Sequence, residues 1–264
     1  MKVNDDNEYP GGTKKQMKAL GWFSMLMAGV VLASGCQLDK VEERRELELP
    51  VSGIEQMEVE SGFGDLEIVG DKNASSIIAK ASIKRSGNMS EEDIIFTLQQ
   101  EGNTAKLILD ESKGLGYRDL DVALTVTVPA SLSLLVNDGS GDIQIKDLEG
   151  PLTVHDDSGD IEITDVAGEL EVYDQSGDMR VTNASNIKLI EDESGDIWLK
   201  NTAGNIEIHD QSGNLQIRNH AGDISIWDES GDLSIDGVDG DVTIEEKGSG
   251  DKSVKNINGS WTEK

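Results

Sequence analysis

One five-residue phrase, Asp-x-Ser-Gly-Asp/Asn, occurs six times in this chain at a constant interval of 18 residues. A weaker copy, such as Asp165-Val-Ala-Gly-Glu169, lies halfway between successive copies, so the smallest unit is nine residues. Repeats of this length are typical of solenoids, in which each unit buries its apolar face only against its neighbours. The six copies are Asp138–Asp142, Asp156–Asp160, Asp174–Asp178, Asp192–Asp196, Asp210–Asn214 and Asp228–Asp232.

Apolar and variable residues alternate after each copy. Ile161 and Ile163 flank Glu162, and Ile206 and Ile208 flank another glutamate. Alternation with a period of two predicts a short strand with one buried face, and the recurring glycine predicts a tight corner. We therefore predict an all-β protein built as a single-stranded β-solenoid, similar to a β-helix or β-roll, with 18-residue coils. An antiparallel meander sandwich is the alternative fold.

The sequence pattern divides the chain into four segments. Residues 1–35 have the lysines, apolar run and small residues of a signal peptide. Residues 36–47 are highly charged and are predicted to form a tether. Residues 48–135 are predicted to be β-rich but irregular, and residues 136–264 to hold the regular repeats, with Trp261 in a C-terminal cap.

Three local features are predicted outside the regular pattern. Ser61–Asp65 looks like an imperfect copy of the repeat, so the solenoid is expected to begin there in irregular form. A hairpin is predicted over residues 94–109, around a glycine-containing turn. The unit at 183–186 lacks its glycine but keeps the nine-residue spacing. A missing corner residue before Ile187 is thus offset by an additional one near Glu191, and a β-bulge is predicted there.

The run from Leu32 to Cys36, Leu-Ala-Ser-Gly-Cys, resembles a bacterial lipoprotein signal, although such signals usually carry leucine where this chain has Ala33. The resemblance implies a lipid on Cys36 and attachment of the protein to a membrane, with Gln37 favouring the outer membrane of the envelope. Met17 is an alternative start, because the acidic residues before it are unusual in a signal peptide.

The charge of the chain limits its partners. The net charge is −29, and a surface of this sign repels nucleic acid and attracts cations or basic partners. Aromatic residues make up only 4% of the chain, which indicates thin coils rather than a thick core. The single cysteine excludes an intramolecular disulfide.

Two columns of acidic residues follow from the repeat. Neighbouring carboxylates about 5 Å apart in water repel by about 0.9 kcal/mol, so some local interaction must favour aspartate. An Asx-turn, in which the side chain accepts a backbone N–H, is one interpretation, and a Ca²⁺ site is the other. No other cofactor is predicted. The columns are Asp138, Asp156, Asp174, Asp192, Asp210 and Asp228, and beside them Asp142, Asp160, Asp178, Asp196, Asn214 and Asp232.

No catalytic residue is predicted. The repeated serines of the phrase form a column of equivalent hydroxyls, and no histidine is positioned to serve each of them as a base. Outward aromatic residues are instead candidates for contact with a glycan or an envelope protein, although they could equally stack on an exposed sheet without a partner. These candidates are His155, Tyr173, His209, Trp227 and Trp198.

A strand ending in Val126-Thr-Val-Pro129, followed by Leu134-Leu-Val-Asn-Asp-Gly-Ser-Gly-Asp142 and serial Ser-Gly-Asp-Ile turns, resembles the bacterial β-strand-repeat family labelled "putative adhesin". The resemblance extends from Val51 to Trp261. It implies a non-enzymatic solenoid attached to the envelope. We therefore predict a lipid-anchored binding or structural module. A carbohydrate-active β-helix enzyme and a self-assembling envelope scaffold are the alternatives.

Overall fold

The computed structural model describes residues 40–86, 89–112 and 120–264. These residues form 22 strands in two sheets of 11 strands each, with one 3-10 turn at Glu91–Asp93 and no α-helix within the described residues. The strands of the first half of the chain are β1 Lys40–Pro50, β2 Gln56–Ser61, β3 Asp65–Asp71, β4 Ser76–Ser86, β5 Ile94–Glu101, β6 Thr104–Glu111, β7 Leu120–Pro129, β8 Ser133–Asp138, β9 Ile143–Leu148, β10 Leu152–Asp156 and β11 Ile161–Val166.

The remaining strands continue the same pattern to the end of the chain. They are β12 Leu170–Asp174, β13 Met179–Thr182, β14 Ile187–Asp192, β15 Ile197–Ala203, β16 Ile206–Asp210, β17 Leu215–Ala221, β18 Ile224–Ser230, β19 Leu233–Asp239, β20 Val242–Ser249, β21 Lys252–Ile257 and β22 Trp261–Glu263.

From β8 onward the chain is a regular solenoid. Sheet A contains β9 and the later odd-numbered strands, and sheet B contains β8 and the later even-numbered strands. Neighbours within each sheet are parallel, and Leu152 pairs with Leu170 and Ile161 with Met179, so successive coils are offset by 18 residues. The predicted all-β solenoid is therefore confirmed. Because strands of one sheet repeat every 18 residues, equivalent side chains form columns about 4.8 Å apart along the stack.

The irregular N-terminal part belongs to the same stack, but its coils do not follow chain order. β2 lies between β6 and β8, and β3 lies between β7 and β9, with parallel pairing throughout. The coil around Ser61–Asp65 is thus inserted between two later coils, which confirms the imperfect copy. One buried core continues from Leu47 to Ile244. The change of pattern at residue 136 therefore separates irregular from regular coils of one core.

Antiparallel strands close this end of the stack. β1 pairs with β4 from Lys40 to Pro50, β4 pairs with β7, and the predicted hairpin is confirmed as β5 and β6. The tether predicted over residues 36–47 is wrong from Lys40 onward, because these charged residues alternate with inward ones along β1. Glu43 is buried there and pairs with the guanidinium of Arg85, which compensates both charges.

The corners explain two sequence preferences. Gly177 has φ +144°, and a Cβ at this position would overlap the backbone carbonyl oxygen of Gly159 in the coil below. The opposite corner places one residue in the left-handed region, where asparagine, aspartate and glycine are tolerated. Those residues are Asp147, Asp165, Asn183, Asn201, Asn219, Gly237 and Asn256.

Two bulges interrupt the ladders of sheet B. Leu170 pairs with Ile187 and Glu171 with Leu189, so the predicted bulge is confirmed and Lys188 is the additional residue. A second bulge, which the sequence analysis did not identify, places Glu246 rather than Glu245 opposite Trp227. At the end of the stack Trp261 follows Val242 in the inward column and is 48% exposed. Trp261 thus ends this column while leaving much of its own ring in solvent.

Candidate functional site

The outer face of sheet B carries a column of aromatic residues. His155, Tyr173, Glu191 and His209 are successive ladder partners, and Trp227 follows His209. Their side chains point outward because the buried residues of each strand alternate with them. The rings of His155 and Tyr173 stack with their centroids 4.5 Å apart and their planes inclined by 9°. The rings of His209 and Trp227 also stack, with the same centroid distance and an angle of 4° between their planes.

This column lines a groove of about 420 Å³. Nine of its fifteen lining residues are acidic, and no lysine or arginine is among them. The groove therefore combines stacked rings with a strongly negative potential, which repels anions and attracts cations. Its lining residues are His155, Asp156, Asp157, Tyr173, Asp174, Gln175, Glu191, Asp192, Glu193, His209, Asp210, Gln211, Trp227, Glu229 and Glu246.

Trp198 lies on the opposite face of the molecule. It belongs to β15 of sheet A, so the structure does not bring it together with the other four candidate residues. The guanidinium carbon of Arg180, its ladder neighbour, lies 5.0 Å from the centroid of the Trp198 ring. This aromatic side chain therefore already has a cationic partner within the chain.

The first acidic column is buried, and here the expectation of carboxylates in water is wrong. Each aspartate follows the last buried apolar residue of its sheet B strand by two places, so its side chain points inward. The six side chains are between 0% and 5% exposed, and at least one carboxylate oxygen of each lacks a hydrogen-bond partner. They are Asp138, Asp156, Asp174, Asp192, Asp210 and Asp228.

Burial raises the pKa of all six carboxyls, and the charges of neighbouring aspartates in the column mostly add to the effect. The Asx-turn interpretation is confirmed for three of them, because Ser158, Ser176 and Ser194 donate their backbone N–H to the aspartate two places earlier at 3.0–3.3 Å. The raised pKa values are about 7 for Asp138, Asp174 and Asp210, about 6 for Asp156 and about 8 for Asp192.

The second acidic column is exposed and joins successive coils. Asp142 accepts the backbone N–H of Asp160 at 3.2 Å, and Asp160 accepts that of Asp178 at 3.0 Å. An asparagine oxygen makes the same bond, which explains Asn214 in this column. Asp196 and Asp232 extend this ladder of hydrogen bonds, which joins the backbone of each coil to a side chain of its neighbour. Among the described residues, no group of three or more histidine, cysteine or acidic side chains could hold a metal ion. The Ca²⁺ site stays the untested alternative of the two interpretations.

His220 is the third histidine of the chain and lies outside the groove. It is buried in sheet A, with Nδ1 2.9 Å from the Thr202 hydroxyl and Nε2 2.8 Å from the Gly204 carbonyl oxygen. Because that carbonyl oxygen is an acceptor, Nε2 donates to it. Burial lowers the pKa of His220. The side chain thus packs a corner, at a distance from the serines of the repeat.

Cys36, the predicted lipidation site, lies outside the described residues. Within the described part of the chain, no helix has the length and apolar character needed to cross a membrane.

A family model matches most of this chain, and several solved structures are similar to it. The family model described as Toastrack DUF4097 matches residues 42–260. A search of the curated proteins found no match. Similar solved structures include a "putative adhesin" from Bacteroides fragilis, which is 18% identical with a TM-score of 0.45 over 84% of this chain and 97% of the other.

Two further solved structures come from Parabacteroides distasonis. One is described as a "putative lipid binding protein", with 18% identity and a TM-score of 0.42 over 84% of this chain and 96% of its own. The other is a "putative adhesin", with 11% identity and a TM-score of 0.41 over 84% of this chain and 97% of its own.

Proposed function

The chain belongs to the Toastrack DUF4097 family, and from this premise we propose that it is a non-catalytic binding module of the bacterial cell envelope. In this proposal a lipid on Cys36 holds the protein at a membrane, and the groove of sheet B contacts a partner molecule. The observation that carries the proposal is the aromatic column from His155 to Trp227, which lines a groove on an otherwise highly polar solenoid.

The groove is suited to binding because its rings are held without flexible loops. Each ring projects from a strand that is hydrogen-bonded on both sides, so little conformational entropy is lost when a partner is bound. Parallel in-register strands also repeat the spacing of about 4.8 Å over four coil steps, which presents about 19 Å of continuous surface. Aromatic residues held on a rigid scaffold are common anchors of binding surfaces.

The acidic residues favour binding over turnover. A glycosidase needs one carboxylic acid and one carboxylate with distinct environments on either side of a bond. Here the carboxyls with raised pKa values are six equivalent residues that point into the coils, and the exposed second column is engaged in backbone hydrogen bonds. Neither column therefore supplies two neighbouring carboxyls in the distinct environments that a glycosidase needs.

A lipid on Cys36 would set the orientation of the stack. Only three residues separate Cys36 from Lys40, where β1 begins at the closed end of the solenoid. That end would therefore face the membrane. His155 lies on β10, the fifth strand of sheet B from that end, so the groove would begin about 19 Å farther out, at four steps of ~4.8 Å. Such spacing would keep the acidic groove clear of the headgroups.

A capture experiment tests the groove. Immobilised purified protein would be compared with the double variant Tyr173→Ala/Trp227→Ala, using extract of the envelope and of neighbouring cells. We expect the variant to lose the main partner that the unchanged protein recovers. The matched control is Trp198→Ala, which removes a half-buried ring from the outer face of sheet A and should retain that partner. Recovery of the same partners by all three proteins would exclude the groove as the site.

A turnover assay separates binding from the enzyme alternative. A panel of glycans would be incubated with the protein, and both retention and chain length would be measured. Shortened glycans would contradict the proposal.

Metabolic labelling tests the lipid anchor. We expect radioactive palmitate to be incorporated into the chain and the label to be lost in Cys36→Ala.

A further inference from the structure

The aromatic column of sheet B has one interruption, at Glu191. On one side of it the Tyr173 ring stacks on His155, and on the other side the His209 ring stacks on Trp227. The remaining faces of Tyr173 and His209 therefore look toward each other across the position of Glu191. Two coil steps separate these rings, roughly 9.6 Å at the ~4.8 Å spacing of parallel strands. A flat group midway between them would lie about 4.8 Å from each ring.

A pair of residues in sheet A shows which chemical group can contact an aromatic ring on the neighbouring coil. Arg180 and Trp198 are ladder neighbours, and the guanidinium carbon lies 5.0 Å from the Trp198 centroid. Cations within about 6 Å of an aromatic face are attracted by its quadrupole. In sheet B the corresponding neighbour of both rings is an acid, so the chain leaves their faces without a cation of its own.

Charge in the groove favours a cation at this position. The Glu191 side chain is exposed, and no hydrogen bond or ion pair joins its carboxylate to another residue of the described ranges. The closest basic residue in the sequence, Lys188, already pairs with Glu169 at 3.4 Å and Glu171 at 2.6 Å. Glu193 adds a further negative charge to the lining.

Exposed acids supply the negative charge that a partner in the groove can reach. The carboxylates of the buried column point into the coils and are not accessible from the groove. The exposed acidic residues of the lining are Asp157, Glu191, Glu193, Glu229 and Glu246. Ring faces on either side and exposed carboxylates beside them thus surround the position of Glu191.

We propose that the slot between Tyr173 and His209, above Glu191, binds an arginine side chain from a basic, extended segment of a partner protein. The proposal rests on the proposed function and names the chemistry of its partner. Arginine fits better than lysine because its guanidinium is planar, stacks on two parallel faces at once and donates in a fork to a carboxylate. A peptide fits because acidic residues extend along the whole groove.

Peptide binding measured by calorimetry tests the slot directly. The probes are a nine-residue oligo-arginine peptide, an oligo-lysine peptide of equal length, spermine and a neutral glycan oligomer. We expect the arginine peptide to bind at least about fivefold more tightly than the lysine peptide, since two ring contacts distinguish them. Glu191→Gln should weaken binding of the arginine peptide by about tenfold, whereas Glu193→Gln, an equal loss of charge beside the slot, should weaken it about twofold.

The ring faces are tested by Tyr173→Leu/His209→Leu, which keeps the charge of the groove and should abolish the preference for arginine. Equal effects of Glu191→Gln and Glu193→Gln, or no preference for arginine in the unchanged protein, would overturn the slot and leave only diffuse attraction. Tighter binding of spermine or the glycan would overturn the choice of a peptide. A further outcome separates this inference from the proposed function. If the Glu191→Gln variant still captures the envelope partner, and neither it nor the unchanged protein binds the arginine peptide, the proposed function survives and this inference is overturned.

Discussion

Lys247 Nζ lies 3.5 Å from Oδ2 of Asp228, and both side chains are buried. Lys247 is also the ladder partner of Asp228, so the column of six inward aspartates ends in an ammonium group. The same nitrogen donates to the carbonyl oxygens of Gly231 and Ser249 at 2.7 and 2.8 Å. One positive charge thus closes a line of buried acids at the C-terminal side of the stack.

Replacing this lysine should destabilise the protein. Lys247→Met leaves Asp228 buried without its counter-ion, and removal of one partner of a buried pair costs about 3 kcal/mol of unfolding free energy. Urea unfolding at pH 7.5 measures the change. Lys255→Met, at an exposed position of β21, is the control and should change stability by less than about 0.5 kcal/mol. A similar loss in both variants would show that the Asp228 pair contributes nothing specific.

Stability should fall as the pH rises from about 4 to 8. An unfolded aspartate has a pKa near 3.8, whereas burial raises the pKa of Asp192 in the folded protein to about 8. Between these values the folded state holds a proton that the unfolded chain releases, so unfolding becomes easier with increasing pH. Below about pH 4 the carboxyl is neutral in both states and this stabilisation is complete. Thermal unfolding across pH 4–9 measures the profile.

The same profile should flatten in Asp192→Asn. The amide keeps an oxygen for the Ser194 N–H but cannot ionise, so we expect about 2 kcal/mol of added stability at pH 8 and little change at pH 5. Asp160→Asn, in the exposed column, is the control and should retain the fall in stability that depends on Asp192. A variant at Asp192 that is destabilised at pH 8 would contradict burial as the source of the profile.

The glycine corners should tolerate no side chain. Gly177→Ala forces a Cβ into the Gly159 carbonyl of the adjacent coil, where only backbone movement relieves the overlap. We expect a loss of at least about 3 kcal/mol in chemical unfolding. Gly102→Ala, which also has a positive φ but no atom within 4 Å of the new Cβ, should lose only about 1 kcal/mol. Equal losses of stability in the two variants would show that glycine is required by the positive φ alone and not by the contact between coils.

Calcium should leave the melting temperature unchanged. The exposed aspartates already accept backbone N–H groups, as Asp142 does from Asp160, so the corners need no ion. A site with a Kd of about 50 μM would add about 2.7 kcal/mol at 5 mM Ca²⁺ and raise the melting temperature by several degrees. Melting with 5 mM CaCl₂ and with chelator measures the difference. A rise that saturates with calcium would establish a specific site.

Part of the site was visible in the sequence for a simple geometric reason. An 18-residue period places His155 beside Tyr173, and His209 beside Trp227, whichever way the coils twist. The period alone does not say that Trp198 projects from the other sheet. Counting positions within a coil would have shown this, because Trp198 follows the Ser-Gly corner whereas the other four precede it.

The burial of the first aspartate column was missed although a signal for it exists. Alternation through Leu152, Val154 and Asp156 places the aspartate on the inward face, two residues after a buried valine. Charged residues are rarely buried without partners, so composition argues for the opposite assignment. Only the packed coil, with Lys247 at its end, decides between the two.

Repetition in the amino-acid sequence by itself determined the solenoid, the 18-residue coil, the two corners and the presence of a bulge in β14, because each depends on contacts between residues at a constant separation. The structure placed the bulge at Lys188. The tertiary structure alone decided that the coil of β2 and β3 is inserted between β6–β7 and β8–β9. It also decided that Glu191 separates two stacked ring pairs above buried acids. The strand order depends on pairing between segments that are distant along the chain, and the arrangement at Glu191 depends on the direction in which side chains pack. No local sequence pattern encodes these two properties.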